Sequence, residues 1–421
     1  MLPEADGGFK RPPLTPRFRR GTVAAMQDQP RATKSATPEA RARAAAAVLL
    51  AESDAIEAAR RITSSALDAL HAQRLFRCLL PASVGGDEAR PADYIRMLIA
   101  VAAADASTAW CISQGSGCSM AAAYLPLATA QAVWGNDPRA VLAWGQNQGA
   151  RAQVVDGGYM VTGAWSFVSG GHHATWIGGH SHVVERDGSL RAGPDGRPIE
   201  RTMLIPRTAM ASTDTWDVIG LRGTGSDTFT IADVFVPDGY STCRDTDEER
   251  REPGTLYQFS TTTMYASGFA GVALGVARGM LDRFGEVAGA KTPSLTARAL
   301  RDSPVIHRDL ALAEASWRAA RAHLLTTLDD TWEGIAARGT ITLDERMNIR
   351  LASTFAIHQA KAIGDFCWRE AGTSAIFAGQ GFERRFRDLN TVTQQVQGRM
   401  THLETVGQHL LGVVPASLRH I

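Results

Sequence analysis

The run Val154-Val-Asp-Gly-Gly-Tyr-Met-Val-Thr-Gly-Ala-Trp165 sets apolar side chains on both sides of an Asp156-Gly157-Gly158 turn. Val154, Val155, Tyr159, Val161 and Trp165 fit strands, and the glycines supply the positive φ of a tight turn, so the run predicts a β-hairpin. Further strands are expected over 175–184, 202–205 and 228–236, with 186–198, rich in Gly, Asp and Pro, as an exposed hairpin loop. Upstream, Val48, Ala55, Ala59, Ile62, Ala66 and Leu70 recur as one buried helix face requires. Asp105-Ala-Ser107 offers a short side-chain oxygen to cap a helix start. Downstream of about 256 the helical period returns, with long helices over 303–338 and 343–370 and a last one near 401–412. Gly268, Gly271, Gly275 and Gly279 place small residues along one helix face, which predicts close helix packing. The fold class is multidomain α+β: an N-terminal helical domain (36–138), a middle β domain (139–245) and a C-terminal helical bundle (255–412).

Composition narrows the function. The 421 residues are 44% hydrophobic and carry a net charge of +1, so there is core material but no global field for gathering phosphates. That argues against nucleic acid as a partner and allows self-association. Cys78, Cys111, Cys118, Cys243 and Cys367 are odd in number without a C-x-x-C pair, which fits neither a disulfide framework nor a zinc ribbon. Residues 1–35 read as a disordered basic arm, with Met26 as an alternative start. Arg19-Arg20 is followed by no apolar run, so no signal peptide is expected. The apolar stretch 265–281 is short for a membrane span and contains Arg278. A cytoplasmic protein without a membrane partner is expected.

Several chemistries are absent. Gly115-Ser116-Gly117 has the wrong spacing for a nucleophile elbow, and neither a dinucleotide fingerprint nor a P-loop occurs. Gly223-Thr224-Gly225-Ser226 precedes a strand, where no phosphate cradle forms. His172, His173, His180 and His182 cluster, with Glu185 or Asp187 nearby, but their spacing matches no metal motif and no metal is expected.

In their order along the chain, Leu80-Pro81, Gly85-Gly86, Asp105-Ala-Ser-Thr-Ala-Trp110 and Gly158-Tyr through Trp165-x-Phe-x-Ser169-Gly170 form one set. Trp216 through Gly220-Leu-Arg222-Gly-Thr224-Gly-Ser226, Asp233-Val-Phe-Val-Pro237 and Glu383-Arg-Arg-Phe-Arg-Asp388 complete it. Together these segments resemble the acyl-CoA dehydrogenase superfamily, over about residues 40–412. The Trp-x-Phe-x-Ser-Gly and Gly-Leu-Arg-Gly-Thr-Gly-Ser forms are most similar to its flavin-dependent two-component (group D) monooxygenases. The resemblance implies a central antiparallel β-barrel or sandwich, a C-terminal four-helix bundle and a homotetramer with flavin sites shared between subunits. It also implies an oxygenase component that receives reduced FMN (or FAD) from a separate NAD(P)H:flavin reductase. Such a component uses molecular oxygen to oxygenate a small metabolite through a C4a-(hydro)peroxyflavin.

By resemblance, Trp144, Gln146, Phe167, Val168 and Ser169 line the flavin ring, with Ser169 the hydroxyl nearest it. Arg298 or Arg301, and Gly372, Thr373 and Ser374 of a neighbouring subunit, are the phosphate candidates. Trp110 and Cys118 border the substrate pocket, while Gln394, Gln395 and His173 are the polar groups expected near the chemistry. The dehydrogenase alternative needs a carboxylate base where Val396 stands; Glu286 and Glu314 are the substitutes to consider. Hydroxylases of this type carry histidines at the positions of Gln395 and Cys118. Their absence favours a substrate that needs no deprotonation, such as an amine, an electron-rich heterocycle or a sulfide. A redox-silent, ligand-binding member of the fold is the third reading.

Overall fold

The computed structural model describes residues 36–421, apart from 194–195, 244–246, 295, 416 and 419. The expected basic arm, 1–35, and the alternative start Met26 lie outside the described residues. Five helices come first: α1 Pro38–Ala59, α2 Ser64–Ala72, α3 Pro91–Ala104, α4 Ala106–Ser119 and the single turn α5 Leu127–Ala130. Their starts follow capping chemistry. Thr37 and Thr63 accept backbone N–H groups of α1 and α2, and Asp105 accepts the Thr108 amide at 2.7 Å, as the sequence predicts.

Nine strands follow: β1 Leu142–Trp144, β2 Gln146–Asn147, β3 Arg151–Val155, β4 Gly158–Ser166, β5 Trp176–Val184, β6 Glu200–Pro206, β7 Ala211–Thr213, β8 Thr228–Pro237 and β9 Ser241–Thr242. The predicted hairpin is β3–β4, closed at Val155 and Gly158 with Gly157 at φ 76°. The sheet differs from the expected antiparallel barrel or sandwich. It is one mixed sheet with the open order β7-β8-β4-β3-β5-β6-β9, in which β5 runs parallel to both β1 and β3. The cause is topological: β4 turns the chain back, so β5 returns in the direction of β3 and pairs with it. Trp165, Phe229, Val161, Ile177 and Met203 fill the core of this sheet.

The C-terminal region is helical: α6 Thr261–Ala290, α7 Pro304–Arg338, α8 Leu343–Ala371, α9 Glu383–Gln394 and α10 Thr401–Leu410. A capping box between Thr342 and Glu345 starts α8, and Gly339 at φ 84° ends α7. α6 is the one described helix long and apolar enough to cross a membrane, and 89% of its most apolar window is buried inside the protein. The glycine stripe explains that burial, and its partner is the N-terminal helix α3. A Cβ on Gly275 would stand 2.5 Å from Ala102 Cβ and from the Ile99 carbonyl, and one on Gly271 3.2 Å from Ile95. One apolar core therefore runs through α1, α3, α4, α6, α7, α8 and α9.

This packing is testable with a matched pair. Gly275→Ala forces a side chain against backbone and should cost about 1–3 kcal/mol in chemical denaturation. Gly285→Ala, on the same helix with nothing within 4 Å, should instead be neutral or stabilise by about 0.5–1 kcal/mol.

Candidate functional site

Ser169 sits just past β4, where the chain takes an unusual turn. Phe167 holds φ at 58°, a left-handed backbone that non-glycine residues seldom adopt, and its ring is 56% exposed. The Val168 amide donates to Asp227 O at 3.2 Å and the Ser169 amide to Phe167 O at 2.9 Å. Gln146 pairs with Ser166 across β2 and β4, which brings Trp144-Gly145-Gln146 against this turn. Gly145 is obligatory there, since a Cβ would lie 2.2 Å from Ser166 O and 2.6 Å from Val168. The structure thus brings together the predicted ring-lining residues Trp144, Gln146, Phe167, Val168 and Ser169.

The hydroxyl of Ser169 is buried and held by two side chains. Trp110 Nε1 donates to its Oγ at 3.1 Å, and Ser226 Oγ lies 2.7 Å away. Ser226 is in turn 2.7 Å from Thr224 Oγ1, which donates to Leu221 O at 2.8 Å. Leu221, left-handed at φ 53°, donates its amide to Asp388 Oδ1 of α9 at 2.6 Å, and its carbonyl also receives Trp216 Nε1 at 3.1 Å. Gly220 packs so closely on α9 that a Cβ would stand 2.4 Å from Arg387 O. The sequence segments around Ser169, Trp216–Ser226 and Asp388 are therefore one hydrogen-bonded assembly, with Trp110 of α4 joining from the N-terminal helices.

Aromatic rings extend from this point. Trp110 stacks on Phe269 of α6 with centroids 4.0 Å apart, Phe269 on Tyr265 at 5.7 Å, and Tyr265 meets Trp144 edge-on at 6.2 Å. Tyr265 Oη contacts Cys118 Sγ at 3.3 Å and donates to Gln114 O at 3.3 Å. Gly117 makes room for the ring, since a Cβ there would come within 2.6 Å of it. Cys118 is fully buried, whereas Tyr265 as a residue is half-buried. Sequence reasoning did not assign Gln114, Tyr265, Phe269, Thr224 or Ser226. Tyr265 and Phe269 stand four residues apart on α6, the one signal that could have paired them.

Other expected residues lie elsewhere. Gln394 is exposed, and Gln395 spends its side chain on the Gln397 amide at 2.6 Å, capping the turn Val396–Gly398. Neither hydrogen-bonds to the Ser169 assembly. Arg298 and Arg301 are exposed on the segment before α7. The turn with Gly372, Thr373 and Ser374 is bonded to Lys291, whose Nζ donates to Ala371 O at 2.7 Å and Ser374 Oγ at 3.0 Å. Glu286 and Glu314 are tied to Arg283 and Arg278, each at 2.7 Å, and so are occupied rather than poised as bases.

The histidines do not converge. His172 Nε2 lies 2.6 Å from Asp227 Oδ2, and His180 Nδ1 2.9 Å from Thr202. Among the described residues no three His, Cys, Asp or Glu side chains group as metal ligands. Burial pushes Asp227 up, but His172 and the Thr215 and Trp216 amides outweigh it and hold the carboxyl below its ordinary range. Asp388 goes the other way, raised to about 7 by burial, against the pull of the Leu221 amide. His173 is partly buried behind Gly170, its Nε2 shut away with no partner, and desolvation lowers it to about 3. It is neutral at working pH and, with so low a proton affinity, only a weak base.

Three comparisons accord with this geometry. The family profile described as "Acyl-CoA dehydrogenase, C-terminal domain" matches residues 267–398. An indole-3-acetate monooxygenase of Pseudomonas putida is 30% identical over 85% of this chain and 89% of its own length. An FADH2-dependent resorcinol hydroxylase oxygenase component of Rhizobium sp. is 28% identical over 85% and 90%. The crystal structure of 3-HSA hydroxylase from Rhodococcus sp. RHA1 superposes with a TM-score of 0.83 at 26% identity, covering 92% of this chain and all of that one.

The lowered His173 value carries a pH consequence. The unfolded imidazole titrates near 6.5 and the folded one near 3, so the stability present above pH 6.5 is lost as pH falls toward 3. By pH 5 the loss from this residue alone is about 2 kcal/mol. Thermal melts should show Tm falling from pH 7 to 5, and less steeply in His173→Leu.

Proposed function

The chain belongs to the flavin-dependent monooxygenases of the acyl-CoA dehydrogenase superfamily, and we propose that it oxygenates a small, electron-rich heteroaromatic beside Ser169. It is an oxidoreductase, an oxygenase component that uses reduced FMN or FAD and molecular oxygen, with a separate flavin reductase as partner. The observation that carries the finer reading is the Ser169 hydroxyl, anchored by Trp110 and Ser226 between an exposed Phe167 and a wall of four aromatic rings.

The residues fit a flavin. The exposed Phe167 ring offers an apolar face, with the buried Ser169 hydroxyl two residues along the same turn as the polar group. Gln146 is exposed beside it, while Trp144 and Val168 are buried and support the turn. Lys291, Ser374 and the Gly372-Thr373 backbone, with Arg298 or Arg301, suit a phosphate contributed to a second copy. Exposed Ile376, Phe377, Met400, Leu410, Leu411 and Val414 give the C-terminal region apolar surface for such copies, and a homotetramer is the assembly we assign. A soluble, cytoplasmic setting goes with it.

When bound, the reduced flavin supplies the electrons that activate dioxygen. The chain's own part is to exclude water and hold the reactants. Trp110 and Phe269 form a buried stack behind Tyr265, whose half-buried ring is the one a planar substrate would meet. Gln114 and Tyr265 offer polar atoms at the rim, and Gln395, already capping its turn, is left outside this role. His173, the imidazole packed behind Gly170, is a weak base and His172 is engaged by Asp227, so a substrate already nucleophilic without proton loss suits the site. The dehydrogenase reading lacks a base: Val396 cannot ionise, and Glu286 and Glu314 are held by arginines.

The direct test supplies photoreduced FMN, 18O2 and indole or indole-3-acetate. Product carrying one 18O atom is expected with reduced flavin, and none with NADH and oxidised flavin when no reductase is added. Sedimentation should give a mass near four times the 45.1 kDa chain.

A further inference from the structure

The hydroxyl chain at Ser169 has only one possible direction. Leu221 O can only accept, so the Thr224 hydroxyl proton is committed to it at 2.8 Å. Thr224 Oγ1 has no second proton, so the 2.7 Å bond to Ser226 must be donated by Ser226. Ser226 is then spent, and the 2.7 Å bond between Ser169 and Ser226 must be donated by Ser169. Trp110 Nε1 can only donate, and it fills one lone pair of Ser169 Oγ at 3.1 Å. What Ser169 retains for a ligand is a single acceptor position. Ser226 and Thr224 are each only 2% exposed, so water does not easily rescue a reversed chain. Reversal would set Thr224 Oγ1 and Leu221 O 2.8 Å apart with no proton between them.

We propose that Thr224 and Ser226 are positioning residues that lock the Ser169 hydroxyl as an acceptor and so tune this site to reduced rather than oxidised flavin. The distinction lies in the ring itself. N5 of a reduced flavin carries a hydrogen and donates, whereas N5 of an oxidised flavin has only a lone pair. An acceptor facing N5 pairs with the first and repels the second. The anchor of the chain, Leu221, is held in turn by Asp388, so the redox preference is set from α9. This inference rests on the flavin-oxygenase reading and deepens it by naming what selects the redox state.

The test is binding, not turnover. Anaerobic titrations with oxidised FMN and with dithionite-reduced FMN give a ratio of dissociation constants for each protein. The wild type should bind reduced FMN at least tenfold more tightly. In Ser226→Ala the Ser169 proton loses its acceptor and becomes free to donate outward. In Thr224→Val the Ser226 proton is released toward Ser169 with the same effect. Both should lower the ratio about tenfold, equivalent to about 30 mV in the two-electron potential of the bound flavin. Thr224→Val, nearly isosteric, keeps the test open if Ser226→Ala fails to fold. Unchanged ratios in folded Ser226→Ala and Thr224→Val overturn the inference alone. A wild type that binds neither form of FMN overturns the flavin reading together with it.

Discussion

The peptide of Leu221 is the constraint on which the rest of the site depends. Its amide is held by Asp388 of α9, and its carbonyl receives both Thr224 Oγ1 and Trp216 Nε1. The backbone there is left-handed, and Gly220 beside it allows the loop to press onto α9. From that fixed point the hydroxyls of Thr224, Ser226 and Ser169 are strung in one direction, ending at the Trp110 indole. Three parts of the chain meet in this line: the C-terminal helices through Asp388, the sheet through Ser169, and the N-terminal helices through Trp110. A site assembled in this way is only as ordered as the packing of those parts, which the close approach of α6 to α3 supplies.

Much of this was legible in the sequence, for physical reasons. The β3–β4 hairpin followed from its glycines, the start of α4 from Asp105, and α7 and α8 from their helical period. The ring-lining run 144–146 and 167–169 came from resemblance, and the strand pairing of Gln146 with Ser166 explains why those two runs travel together. The sheet's parallel pairs were not legible, because strand order depends on contacts far apart in sequence. The same limit hid Tyr265. Its aromatic character on a helix face reads as core, and only its approach to Gly117 and Cys118 reveals a polar group at the rim. Gln395 failed in the opposite way: spacing put it at a histidine's place, while the local need to cap Val396–Gly398 claimed its side chain.

The losses and gains around Ser169 are consistent with one chemistry. His173 is a weak base, the Gln395 amide is no base at all, and His172 is engaged by Asp227. What remains is the aromatic stack ending at the half-buried Tyr265 ring, which suits a flat ligand. The preference for reduced flavin argued from the hydroxyl chain fits a protein that receives its cofactor already reduced. Both features follow from side chains that cannot ionise readily, which keeps charge out of a pocket meant to stay dry.

The most direct test of this account is a crystal structure of the protein soaked anaerobically with dithionite-reduced FMN. The account predicts the ring lying on the Phe167-Val168-Ser169 turn, its N5 edge at Ser169 Oγ, with the Trp110, Ser226 and Thr224 bonds intact. A ring bound elsewhere, for example in the cleft between Arg60, His172 and Trp216, would contradict it. So would a Ser169 hydroxyl that has turned away from Ser226.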